Sequence, residues 1–132
     1  MRHVFECTVR FDDLDSYGHV NNVTFVEYLQ EARIDFAHRF LADALGPHEG
    51  AVVAHQSIEY LQPVPFRTKP LQVEVWVARI GRSSYDVAYE VRDAETVFAR
   101  ATGALVSYDV AAQKARPLTD IERVALTRFL EP

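Results

Sequence analysis

The chain has 132 residues, 48% hydrophobic and 25% charged, with a formal net charge of -5. That suits one domain, residues 1–132, with a real core, and the acidic balance argues against nucleic acid, whose phosphates need a basic face. Cys7 is the only cysteine, which excludes an intrachain disulfide and a multi-cysteine zinc site and fits a reducing cytoplasm; the N-terminus lacks a signal-peptide apolar run, and no stretch approaches the ~20 apolar residues that span a bilayer.

Residues 3–12 alternate, with Phe5, Cys7, Val9 and Phe11 on one parity and Glu6, Thr8, Arg10 and Asp12 on the other, which predicts a half-buried strand. If the alternation continued, Asp13 and Asp15 would point inward. A carboxylate there is costly unless paired or functional, and the alternative is a solvated turn. Gly18 permits a tight turn, and Asn21 or Asn22 can cap the next helix. Phe25, Leu29, Ala32, Phe36 and Phe40, widened by Val26, Ala37 and Leu41, predict that helix from about Asn22 to Ala44, stopped by Gly46-Pro47. Asp35 and Arg39 form an i,i+4 pair worth only about 0.3–0.5 kcal/mol.

Strand signals take over from there: Ala51–Leu61, Leu71–Ile80, Tyr85–Arg92 and Val97–Val110, with turns at Gly81-Arg82-Ser83 and Asp93-Ala94-Glu95. Asp120–Leu130 predicts a short terminal helix. Segregated helix and sheet give an α+β class, most simply with the long helix across the concave face of a curved antiparallel sheet.

The stretch Asp13 to Arg33 combines an acidic loop with the start of the long helix, where backbone N–H groups are unpaired and the dipole is positive. A carboxylate beside such donors suits acyl chemistry: one group attacks or activates, the other stabilises an oxyanion.

The sequence Asp13-Leu-Asp15-Ser-Tyr17-Gly18-His19-Val20-Asn21-Asn22, followed by Glu31-Ala32-Arg33, resembles the 4-hydroxybenzoyl-coenzyme A and acyl-coenzyme A thioesterases of the hot-dog fold. Ile58-Glu59-Tyr60-Leu61-Gln62-Pro63, Ile80-Gly81-Arg82-Ser83-Ser84 and Ala99-Arg100-Ala101 leading to Tyr108-Asp109 agree. The resemblance spans about Val4 to Pro117. It implies five strands wrapped around a central helix, a homodimer or a tetramer built as a dimer of dimers, and a site between subunits. It implies hydrolysis of an acyl- or aroyl-coenzyme A; that chemistry needs no metal or redox cofactor, and the lack of a spanning segment argues against a membrane partner. The family's catalytic carboxylate matches Asp15, with oxyanion donors at the helix start. His19-Val20-Asn21-Asn22 also resembles plant acyl-carrier-protein thioesterases, which carry Asn where this chain has Tyr17.

An unperturbed Asp ionises near pH 3.9 and is anionic at neutral pH, so Asp15 can be a nucleophile; partial burial would favour the general-base role. His19 can position water or substrate, or brace the loop. Tyr17, Asn22, Glu59, Arg82 and Ser83 are the substrate-binding candidates, the last two for coenzyme A phosphates. Glu27 and Glu31 on the helix compete with Asp15 as carboxylates. An acyl-carrier-protein thioesterase and a non-catalytic acyl-thioester binding module are the alternative functions.

Overall fold

Five antiparallel strands form on the alternating segments, and the computed structural model describes residues 1–132. In chain order the elements are β1 (His3–Cys7), α1 (Asn22–Phe40), β2 (Glu49–Tyr60), β3 (Leu71–Ile80), β4 (Ser84–Arg92), β5 (Val97–Asp109), the two-residue β6 (Lys114–Ala115) and α2 (Asp120–Thr127). The sheet runs β1-β3-β4-β5-β2, with β6 attached to β5. This is the α+β hot-dog arrangement, with α1 lying on the concave face. No helix is long and apolar enough to cross a membrane.

The core follows from two periods meeting. Leu71, Val73, Val75 and Val77 all point inward from β3 and are fully buried, as are Val87 and Tyr89 on β4. From α1, Phe25, Leu29, Ala32 and Phe36 come down onto them at helical spacing. Each fully buried Val, Leu or Phe is worth roughly 1.5–3 kcal/mol of transfer free energy, so this seam holds the helix. α2 closes one end, where Phe129 meets the rings of Phe36 and Phe40 at 4.9 and 4.7 Å. Thr119 and Glu122 form a capping box that starts α2.

The ends of β1 and α1, and one face of α1, differ from the sequence expectation. β1 stops at Cys7, and the chain turns through a 3-10 turn at Phe11–Asp13. Phe11 leaves the apolar row and is 78% exposed, its ring tilted against Phe66 with centroids 5.6 Å apart, while Asp13 turns inward. α1 ends at Phe40, because Ala42–Ala44 tightens into a 3-10 turn. Val26 is exposed and does not widen the buried face.

α1 sits off-centre. It packs chiefly on β1 and β3. His3 Nε2 lies 2.7 Å from Asp35 Oδ2, and the His3 ring rests against Phe36 and Phe40. A gap is left beneath the helix on the β5 and β2 side.

β2 pairs with β5 alone and is an edge strand 12 residues long. A bulge at Ala54 shifts its register from Val53↔Leu105 to His55↔Ala104. Ala51, Val53, Gln56, Ile58 and Tyr60 therefore lie opposite residues that face the helix. His55, Ser57 and Glu59 lie on the convex side. Such an edge offers a row of unpaired backbone groups.

Candidate active site

The loop before α1 is built on its backbone. Leu14 bridges Val20, and His19 bridges Pro65. The Asp15 N–H donates to the His19 carbonyl at 2.8 Å, and the Gly18 N–H donates to the Asp15 carbonyl at 3.1 Å. Gly18 has φ +78°, the left-handed region where glycine is favoured.

Asp13 anchors this loop to the helix. Its Oδ2 accepts from the Tyr28 hydroxyl at 2.7 Å and the Arg10 N–H at 2.9 Å, and its Oδ1 accepts from the Arg10 guanidinium at 3.2 Å. Burial alone would raise the carboxyl's pKa, but the hydrogen bonds from Tyr28 and Arg10 outweigh it and hold Asp13 below the ordinary range. Burial, then the neighbouring carboxylate, pushes the Tyr28 hydroxyl up. The inward carboxylate that strand parity anticipates is thus Asp13, and it is fully paired.

Asp15 is placed differently. Its Oδ1 accepts from the Tyr17 N–H at 2.9 Å and the His19 N–H at 3.2 Å, which fixes the side chain. No protein group donates to Oδ2. Asp15 lines a cavity of about 300 Å³ with His19, Asn22, Tyr60 and Gln62.

The helix start borders the same cavity. Asn21 is the cap: its side chain accepts from the Val23 N–H at 2.9 Å, and its carbonyl from the Phe25 N–H at 3.3 Å. The N–H groups of Asn22 and Thr24 have no protein acceptor. The Tyr60 hydroxyl donates to the Asn22 carbonyl at 2.9 Å and ties the end of β2 to the first helical turn. A carboxylate oxygen without a donor and the free N–H of Asn22 thus share one opening, the pairing needed to attack a carbonyl and stabilise its oxyanion.

Among the residues singled out from sequence, Asp15, His19 and Asn22 come together here. Tyr17 sits at the loop tip, 84% exposed, outside the cavity. Glu59 lies on the convex face opposite Arg100. Arg82 and Ser83 lie in the β3–β4 turn; the Arg82 carbonyl accepts from the Leu118 N–H at 2.9 Å, and the Ser83 carbonyl from the Ser107 N–H at 2.8 Å. That turn is at the opposite end of the sheet, beside the start of β2. Glu27 and Glu31 are exposed on α1, away from this cavity. Tyr60 and Gln62 also line this cavity, though within their motif the sequence points only to Glu59 as a site candidate; Tyr60's place beside Phe25, with ring centroids 5.4 Å apart, results from the bulge at Ala54.

Residues 9–125 match the family model of the thioesterase-like superfamily. The 1,4-dihydroxy-2-naphthoyl-CoA hydrolase of Nostoc punctiforme is 28% identical over 128 residues, covering 91% of this chain and 83% of its own. Among solved structures, the thioesterase candidate PA2801 from Pseudomonas aeruginosa is similar with a TM-score of 0.84 and 32% identity, covering 93% of this chain and 96% of its own. A thioesterase from Thermus thermophilus, complexed with coenzyme A and zinc, superposes with a TM-score of 0.81 and 30% identity over 98% of this chain and 95% of its own.

Proposed function

Because the chain belongs to the thioesterase-like superfamily and is a thioester hydrolase, we propose that its substrate is an acyl- or aroyl-coenzyme A and that Asp15 carries the reaction. The observation that carries this reading is the Asp15 Oδ2, to which no protein group donates, in the same cavity as Asn22, the first residue of α1, whose N–H has no protein acceptor. The thioester carbonyl enters with its oxygen toward that N–H at the helix start, which stabilises the tetrahedral oxyanion. Asp15 then acts by one of two routes. As nucleophile, its Oδ2 bonds to the carbonyl carbon, the C–S bond breaks with thiolate leaving, and water hydrolyses the mixed anhydride. As base, it takes a proton from the water that attacks. In both routes the products are a free acid and coenzyme A. His19 stands beside the carboxylate to position water or substrate. The free Cys7 thiol suits the reducing cytoplasm that this reading assigns to the protein.

The working unit is a homodimer paired along β2. Support comes from the free edge of β2, the exposed Val52 and Val53 on it, and the exposed Val23, Val26 and Ile34 on α1. Two copies of β2 paired antiparallel about a two-fold axis bring the Tyr60 end of one beside the Glu49–Val53 end of the other. The Asp15 loop of one copy then meets the end of the sheet where Arg82 and Ser83 of the other reside. Those two residues are the candidates for the coenzyme A phosphates, and each copy supplies half of each site.

The test is free-thiol release from a panel of acyl- and aroyl-coenzyme A thioesters and acyl-carrier-protein thioesters, with the mass in solution measured on the same sample. The expected result is turnover of coenzyme A thioesters by a dimer or tetramer. Turnover of carrier-protein thioesters alone, or an active monomer, contradicts the reading.

A further inference from the structure

The gap beneath α1 is a cavity of about 280 Å³ between the second half of the helix and strands β5 and β2. Its walls are mostly apolar: Ile34, Ala37, Leu41, Leu45, Val53 and Leu105. It approaches the lower end of the ~300–1,000 Å³ range of small-molecule sites. Arg33 and Tyr85 also line it, and they are its unusual feature.

Arg33 is half-buried, yet its only protein partner is the Tyr89 hydroxyl, 3.5 Å from Nη1. The other half-buried arginines are all engaged. Arg2, Arg67, Arg92 and Arg116 meet carboxylates at 2.7, 3.0, 3.1 and 2.6 Å, and Arg123 donates to two backbone carbonyls. The acid on the cavity wall does not serve Arg33. Glu122 gives both oxygens to Arg116, at 2.6 and 3.1 Å, and accepts from the Thr119 N–H at 2.9 Å. Tyr85 is buried, and its hydroxyl has no protein partner. Burial pushes that phenol up to about 12, so it is a donor at neutral pH.

An apolar cavity that ends in an uncompensated guanidinium and a free phenolic donor is built for an anionic oxygen. A carboxylate matches the guanidinium fork, and pairing removes the cost of a poorly solvated charge. Arg33 lies 11 residues beyond Asn22, roughly 16 Å along the helix at 1.5 Å per residue. Its own chain's Asp15 is therefore distant. The paired edge described above brings the second copy's Asp15 loop to this end of β2 instead.

Resting on that reading of the site, we propose that the cavity receives the acyl group and that Arg33, assisted by Tyr85, selects acyl-coenzyme A substrates whose acyl chain ends in a carboxylate. The substrates are then mono-thioesters of dicarboxylic acids. The guanidinium binds the distal carboxylate while the thioester end lies at Asp15 of the other copy.

Adipoyl-coenzyme A and hexanoyl-coenzyme A have the same carbon number and differ at the distal end. The expected result is a wild-type kcat/KM preference for adipoyl-coenzyme A of about tenfold or more. Arg33→Met removes that preference while hexanoyl-coenzyme A turnover stays within about threefold, Arg33→Lys restores part of it, and Tyr85→Phe weakens it by a smaller factor. An equal fall on both substrates in Arg33→Met means a merely structural role and overturns the proposal, as does a wild type without preference. If Arg33→Met does not fold, Arg33→Lys and Tyr85→Phe still decide it. Calorimetric binding of adipate against hexanoate separates this proposal from the hydrolase reading. Adipate binding that weakens in Arg33→Lys and Tyr85→Phe, without turnover of any thioester, upholds the selection and removes the hydrolysis. Turnover with adipate and hexanoate bound alike does the reverse.

Discussion

Asp13 is 3% exposed and gives both oxygens to Tyr28 and Arg10, whereas Asp15, two residues on, ties one oxygen to its own loop and leaves the other open to a cavity. The same side chain takes two settings because the backbone between them turns. A 3-10 turn carries Asp13 under α1, and the small hairpin closed by Leu14 and Val20 carries Asp15 out to the helix start. A satisfied buried carboxylate holds structure; a fixed but incompletely satisfied one is available for chemistry.

The contrast can be broken first at Asp13. Asp13→Ala leaves the Tyr28 hydroxyl buried without an acceptor and frees the loop from α1, and is expected to cost about 2–3 kcal/mol in denaturant unfolding. Tyr28→Phe removes the same bond from the other side. It is expected to cost about 1.5–2 kcal/mol, less than Asp13→Ala because Arg10 still meets the carboxylate.

Acid sharpens the comparison further. The pKa of Asp13 is lowered in the folded state, so its stabilisation is fully present above the ordinary carboxylate value and is lost as pH falls through the lowered one. Glu90 and Glu122 shift in the same direction: burial would raise them, and bonds from Arg100 and Arg116 respectively outweigh it. The denaturation midpoint should therefore drop as pH falls through the lowered carboxylate range, and Asp13→Asn should make that drop shallower. The smallest effect belongs to Asp15→Asn, which keeps an acceptor for the N–H groups of Tyr17 and His19. Its stability should stay within about 0.5 kcal/mol of wild type, and a loss comparable to that of Asp13→Ala would place both carboxylates in one structural role.

Much of this frame is legible in the sequence. The inward row of β3 and the helical spacing of Phe25, Leu29, Ala32 and Phe36 each report one period, and each lies in the core. The family motifs bring Asp15, His19 and Asn22 to the same place. What sequence periodicity misses arises where a period breaks. The strand parity through Val9 turns both Phe11 and Asp13 inward, and it misses the 3-10 turn that exposes Phe11 while keeping Asp13 buried. The bulge at Ala54 decides that Tyr60 faces the helix while Glu59 faces away. The cavity at Arg33 exists because α1 lies toward β1 and β3, a tertiary offset that no local pattern encodes.

The role of Asp15 is decided by free-thiol release by Asp15→Asn, measured beside the wild type on its best acyl-coenzyme A. With the fold unchanged by circular dichroism and thermal unfolding, kcat should fall by about a hundredfold or more. A variant that turns over within about threefold of wild type would contradict the assignment of the chemistry to Asp15.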